Sequence, residues 1–567
     1  MRLERRGSFC GFVEIVVAAL LLNLGGNWLP ALTAEEANQA ADPAAELKAL
    51  QSAATPVERS KLATAIRTQL EKSKLAEEDL ALLIGLSETL ERLRMDEAAQ
   101  DLYKLFAPRL LASDGPGHKQ IGELMTGALK RLGCVGKPFT LAGQTCDGER
   151  FEIASLRGKV ALVVFWSTAH QESLEELLHV RRLQRDFSSR GLAVVGVSGD
   201  GDRATLDRFL LQIAMPWPTL NDPQAGPLQP AIKEYGISAF PTTFLIGKDG
   251  KVLAMNLRGR ELRRQIIGLI GLPEARPIVS AGPQGASTVN DMAERILDVG
   301  EQWIKEGKVK NGQQLLADGL PASAAGGWAP PRKQPISDEE LYQQALGSVF
   351  VLGTLFRVPE NPEWQVSSAT AFAVTADGVL STSAHVFDFE NWEMGAMIAF
   401  NSAGQAFPVE QLLAADGGGD TCLLRIKANN LRPLPLAEGT PVGARVRVVS
   451  HPGSSVYYLS SGHVASYEAD EQGIPWMHIT AQFGEGSSGA PVFDQFGNVA
   501  GQVSQTSTLF STPSGEPQKH HAARGFATSP PRRPTRQAGP MHGAAAEPQM
   551  VFRLCTPAAR LEKLFGK

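Results

Sequence analysis

The stretch Gly484-Glu-Gly-Ser-Ser-Gly-Ala-Pro-Val492 presents Ser488 in a glycine-rich turn that runs into an apolar strand. Upstream, Leu380-Ser-Thr-Ser-Ala-His-Val386 places His385 just after a strand-like run, and Gly419-Asp-Thr-Cys-Leu-Leu-Arg425 places Asp420 at the start of another. Singly, each is unremarkable, because a histidine at a strand end or a Gly-Ser-Ser-Gly loop is common. Together they lie in a region of short alternating runs separated by turn signals such as Ala376-Asp-Gly378 and Pro452-Gly-Ser454, which reads as all-β.

Three further segments sharpen this reading: Phe372-Ala-Val-Thr-Ala-Asp-Gly378 before the histidine, Ser461-Gly-His-Val-Ala-Ser466 before the serine loop, and Ala500-Gly-Gln-Val-Ser504 after it. In this order and context, residues 341–564 resemble the trypsin-like serine proteases of the chymotrypsin fold, especially the bacterial high-temperature-requirement branch. The resemblance implies two β-barrels, with His385 as general base and acid, Asp420 as its orienting carboxylate and Ser488 as nucleophile. The backbone N–H groups of Gly486 and Ser488 would form the oxyanion hole. A serine hydroxyl is a weak nucleophile at neutral pH, so an adjacent imidazole must take its proton, and a carboxylate fixes the imidazole tautomer. The sequence departs from the family's Gly-x-Gly-Phe segment, which reads Ala369-Thr-Ala-Phe372, and Ala490 replaces a usual second glycine. No peptide-binding domain follows, and residues 511–548 form a Pro/Gly/Ala-rich insert whose composition reads as a disordered loop. Residues around Gln482 and Gln505 border the expected pocket, but loop lengths leave them unplaced.

Working outward, residues 136–272 alternate apolar strand-length runs with helices, as in Lys159-Val-Ala-Leu-Val-Val-Phe-Trp166 and Thr242-Thr-Phe-Leu-Ile246. Gly136-Lys-Pro-Phe-Thr-Leu141 and Ala239-Phe-Pro-Thr-Thr-Phe-Leu-Ile246 make this region similar to the thioredoxin-like fold. That resemblance makes Pro241 a cis-proline candidate and puts the redox pair directly after Trp166. There the chain reads Ser167-Thr-Ala-His-Gln-Glu-Ser173, so His170 and Ser173 hold the two cysteine positions. Neither can form a disulfide, which excludes dithiol exchange there. The expected role is docking a protein or polypeptide segment.

Before it, residues 35–132 carry Leu82, Leu83, Leu86, Leu90 and Leu93 at helical spacing and read as an α-helical region. The first 34 residues combine Arg2, Arg5 and Arg6, an apolar run from Ile15 to Leu24 and the small-residue exit Ala31-Leu-Thr-Ala34. This is the layout of a cleaved signal peptide, its apolar run short of the ~20 residues a spanning helix needs; an uncleaved anchor, its apolar character extended by Trp28 and Leu29, is the alternative. The expected address is therefore periplasmic, envelope or secreted, with no stable membrane insertion. Export permits disulfides, and Cys134 with Cys146 is one pairing; four free thiols (with Cys422 and Cys555) is the other.

The fold class is thus multidomain: signal peptide 1–34, helical region 35–132, thioredoxin-like domain 133–272, linker with a helical pair 273–335 and all-β double-barrel domain 336–567. The 567 residues are 43% hydrophobic and 20% charged, with a formal net charge of −5 and five cysteines. That excludes collagen-like and disulfide-built chains and gives no general attraction to nucleic acid. No cofactor or metal is expected: His451, His463 and His478 sit singly, and His520-His521 lacks further ligands. The expected partner is a protein or peptide substrate, with oligomeric state left open. The leading reading is an exported serine endopeptidase. A non-catalytic envelope scaffold, and a thiol enzyme using Cys134 and Cys146, are the rivals.

Overall fold

The computed structural model describes residues 43–565 apart from 214, 223–228, 280–288, 318–327, 389–391, 454, 511–517 and 522–547. The expected signal peptide and most of the 511–548 insert lie outside the described residues. The chain divides into two compact units, Met1–Glu274 and Ala275–Lys567.

The first unit opens with five helices: α1 (Pro43–Ser52), α2 (Pro56–Lys72), α3 (Glu77–Arg92), α4 (Asp96–Leu111) and α5 (His118–Leu132). Local rules start them well. Thr55 caps α2, its Oγ1 accepting from Glu58 N–H at 3.2 Å, with Pro56 in the first turn. The leucine stripe of α3 packs with Leu102, Phe106, Leu110 and Met125 in one apolar core. Then follow β1 (Ala142–Gln144), β2 (Arg150–Glu152), β3 (Val160–Trp166), α6 (Gln171–Phe187), β4 (Leu192–Ser198) and α7 (Arg203–Gln212). β5 (Thr219–Leu220), α8 (Pro230–Tyr235), β6 (Thr242–Ile246), β7 (Val252–Met255) and α9 (Gly259–Ile270) complete the unit. The sheet order is β5-β4-β3-β6-β7, with β3, β4 and β5 parallel and β6 antiparallel to β3. Every residue of β3 is buried, which is why it reads as one unbroken apolar run. Helices and sheet share a join: Arg131 of α5 is buried, donates from Nε to Tyr235 O at 2.9 Å and meets Glu91 at 2.6 Å.

In the second unit, α10 (Val289–Lys305), α11 (Gly312–Ala317) and α12 (Asp338–Leu346) precede the strands. Residues 273–335, expected as a linker with a helical pair, thus include α10, whose Ile296 belongs to the same core as Val351, Leu355 and Ile398. A Cβ on Gly300 would lie 2.4 Å from Leu355, so helix and strand approach more closely than a side chain there allows. Strands β8 (Val349–Val358), β9 (Asn361–Ala373), β10 (Val379–Thr382), β11 (Glu393–Phe400), β12 (Ala406–Asp416) and β13 (Thr421–Ile426) close into a barrel. The second barrel uses β14 (Arg445–Ser450), β15 (Tyr458–Ala469), β16 (Pro475–Ile479), β17 (Pro491–Phe493), β18 (Val499–Phe510) and β20 (Pro548–Pro557). It runs β17-β14-β15-β16-β20-β18 and closes through the β17–β18 pairing. Within the insert, β19 (Gln518–His521) forms a short strand against β18. The chain ends in α13 (Ala558–Leu561) and a 3₁₀ turn.

Candidate active site

β10 and β13 are antiparallel neighbours with Thr382 opposite Cys422, so the turn after β10 and the residue before β13 meet at one end of the first barrel. That register brings together His385, on the 3₁₀ turn Ala384–Phe387, and Asp420. The His385 Nδ1 atom lies 3.0 Å from Asp420 Oδ1 and 2.9 Å from Oδ2, and the His385 backbone N–H donates to Oδ1 at 3.0 Å. Ser504 Oγ donates to Oδ2 from β18 of the second barrel. A carboxylate in this place holds the proton on Nδ1 and leaves Nε2 as a base. Asp420 is buried and has φ of 50°, a left-handed conformation that aspartate tolerates better than most residues.

The Ser488 loop is set by a chain of backbone bonds. Ser487 N–H donates to Gly484 O at 3.0 Å, and Ala490 N–H to Ser487 O at 2.9 Å. The Glu485 carbonyl accepts from Gly453 N–H at 2.6 Å. In a trans peptide the N–H points opposite to the preceding carbonyl. The engaged carbonyls of Glu485 and Ser487 therefore turn the N–H groups of Gly486 and Ser488 the other way, and neither N–H meets a backbone acceptor among the described residues. Gly486 has φ of 88°, and a Cβ there would stand 2.4 Å from His451 O, so only glycine fits.

Thr370, on β9, ties this loop to the first barrel. Its N–H donates to Ser488 O at 2.8 Å and its Oγ1 to Gly486 O at 3.0 Å. Its own carbonyl accepts from Thr382 Oγ1 at 2.7 Å, three residues before His385. Val503 O is shared in the same way, accepting Gly489 N–H at 2.9 Å and Ser383 Oγ at 3.1 Å. The serine loop and the histidine turn are thus fixed to common anchors.

In the first unit, His170 precedes α6 and Ser173 is fully buried in its first turn, its Oγ accepting from Ser167 N–H at 3.4 Å. The His170 ring faces Phe240 at 5.4 Å between centroids, and burial lowers its pKa. The Phe240–Pro241 peptide bond is cis. Sequence reasoning missed Asp200, which accepts from Ser167 Oγ at 2.9 Å, Thr168 Oγ1 at 2.8 Å and Ser198 Oγ at 2.8 Å. A hydroxyl–carboxylate network therefore stands beside Ser173 at the start of α6. Cys134, Cys146, Cys422 and Cys555 are free thiols. Burial raises the pKa of Cys134 and Cys146, the opposite of an activated thiolate.

Residues 369–501 match the family model described as a trypsin-like peptidase domain. The second unit carries a trypsin-like peptidase domain. Residues 133–255 match the AhpC/TSA family, so a thioredoxin-like domain precedes it. The thiol-disulfide oxidoreductase ResA of Bacillus thuringiensis subsp. konkukian is 27% identical over 120 residues, 21% of this chain. The match spans 66% of that relative, just under two thirds of its length. The ResA of Halalkalibacterium halodurans is 26% identical over 132 residues, covering 23% of this chain and 72% of the relative. Among solved structures, a putative thiol:disulfide interchange protein DsbE from Chlorobium tepidum aligns with 24% identity and TM-score 0.22, over 24% of this chain and 95% of its own. The HtrA-type protease AlgW aligns with 17% identity and TM-score 0.29, over 41% and 64%.

In the peptidase domain the three alanines read above as departures from the family pattern lie in the barrel cores. Ala369 and Ala371 lie in the first barrel's core with Leu380, Val386 and Leu424, and Ala490 lies in the second with Val492, Val503 and Cys555. Thr370, Gly453 and Ser504 support the candidate site and were not singled out by sequence reasoning, although each stands inside a quoted segment. His451 is buried, accepts from Tyr457 N–H at Nδ1 (3.0 Å), and burial pushes its pKa down to about 3. His463 and His478 lie on β15 and β16, and His520 and His521 on β19. No group of three or more potential metal ligands occurs among the described residues. No helix among them is long and apolar enough to cross a membrane.

Proposed function

We propose that the chain is an exported serine endopeptidase that cleaves peptide bonds through an acyl-enzyme on Ser488. The observation that carries this is the Asp420 carboxylate, held by Ser504 and the His385 backbone while facing His385 Nδ1. With Nδ1 committed, Nε2 accepts the Ser488 proton as Oγ attacks the carbonyl carbon, then returns it to the leaving amine. Water repeats the cycle on the ester and frees the acid product. Gly486 N–H and Ser488 N–H stabilise the oxyanion, each such donor being worth about 3–4 kcal/mol. The thioredoxin-like domain is a contact module for substrate or partner, its disulfide chemistry replaced by His170, Ser173 and the Asp200 network. Hydrolysis of an unfolded protein by the secreted chain and by Ser488→Ala tests the reading. Turnover confined to the former is expected; equal turnover, or none in either, favours a scaffold.

A further inference from the structure

Arg553, on β20, is a cation held by neutral groups. Its Nη2 donates to Gln482 Oε1, its Nη1 reaches Val551 O at 3.5 Å, and its Nε is buried with no hydrogen-bond partner among the described residues. Elsewhere in the same unit Arg445 and Arg447 meet Asp338, and Arg560 meets Asp416, whereas no carboxylate among the described residues pairs with Arg553. Partial burial works against its charge, since desolvation lowers its pKa. An arginine left in this state presents a donor fork suited to a planar anion.

Its place in the fold says which anion. Side chains alternate along a strand, so Arg553 shares a face with Cys555. Cys555 packs inside the second barrel with Phe483 and Ala490, which flank the Ser488 loop. Arg553 therefore stands at the mouth of that interior, where Gln482 arrives six residues before Ser488. Across the sheet it pairs with Thr506, two residues beyond the Ser504 that anchors Asp420. The guanidinium is thus bracketed by the segment that carries the oxyanion donors and the strand that holds the triad carboxylate.

We propose that Arg553 is a specificity-determining residue that receives the side-chain carboxylate of a substrate glutamate or aspartate immediately N-terminal to the scissile bond. A carboxylate there replaces the Gln482 contact and supplies the acceptor that Nε lacks. The inference rests on the endopeptidase reading. It is tested with two peptides identical except for Glu or Gln before the cleaved bond, isosteres that differ in charge. The secreted chain should favour the Glu peptide in kcat/KM by on the order of 100-fold. Arg553→Gln should bring the ratio near unity, and Arg553→Lys should restore part of it. The ratio cancels any loss common to both peptides, and thermal unfolding checks that the variants fold. A wild-type enzyme that takes a fluorophosphonate on Ser488 yet cleaves both peptides equally overturns this inference alone, as does an unchanged ratio in Arg553→Gln. No fluorophosphonate labelling overturns it together with the protease reading.

Discussion

In the proposed mechanism Asp420 serves His385 only while its two oxygens stay aimed, and three donors aim them. Asp420→Asn keeps the shape but offers an amide where Nδ1–H needs an acceptor. It should lower kcat by about 10⁴-fold with little change in KM, read by steady-state kinetics. His451 supplies a pH dependence of stability. Its folded pKa, about 3, lies below the roughly 6.5 of an unfolded histidine. Acid therefore protonates the unfolded chain first: the contribution is complete above about pH 6.5 and is lost as pH falls towards 3, by up to ~1.4 kcal/mol per unit. In His451→Asn, whose amide oxygen can accept the Tyr457 N–H, the fall in Tm between pH 6.5 and 4 should be shallower than in the wild type. Equal slopes would remove His451 as the cause.

The Ser488 loop works as one element, and Gly486 and Gly489 are steric requirements in it. Gly486→Ala would put a methyl 2.4 Å from His451 O at a φ of 88°, displacing the N–H it carries. Strain of about 1–3 kcal/mol in Tm measurements and a loss of 10²–10³-fold in kcat are expected, by order of magnitude. Thr370→Val removes one hydroxyl donor from Gly486 O at nearly constant volume. It should destabilise by about 1–2 kcal/mol and lower kcat rather than raise KM. The order and strand contexts of His385, Asp420 and Ser488 were legible because each is a local pattern of a few residues. Their supports were not, because they join distant parts of the chain: Thr370 and Gly486 are 116 residues apart, Ser504 and Asp420 84, Arg553 and Gln482 71. The β18–β20 pairing that puts Arg553 opposite Thr506 spans the insert, whose composition carries no register information. Ala369, Ala371 and Ala490 read as departures in sequence, and only the barrel cores explain them.

At the scale of the molecule, the chain forms two units with separate cores. The first is stitched by Arg131, which is buried against Glu91 and reaches Tyr235 O and Gly236 O across the helical and α/β parts. Arg131→Met strands the Glu91 carboxylate and should cost the first unit about 3–5 kcal/mol, seen as an earlier calorimetric transition. The peptidase domain, with its own core, should keep its active-site reactivity in that variant. Charge and composition were legible at this scale, as was the lack of a Cys-x-x-Cys motif. The close join of helices to sheet was not, since it depends on one buried guanidinium. The central claim is that Ser488 is a nucleophile activated by His385. Its most direct measurement is fluorophosphonate labelling of the purified chain, with the adduct located by peptide mass spectrometry. A single adduct on Ser488, absent from Ser488→Ala and slowed by orders of magnitude in His385→Ala, is the predicted result. Labelling that is absent, or that survives in Ser488→Ala, contradicts it.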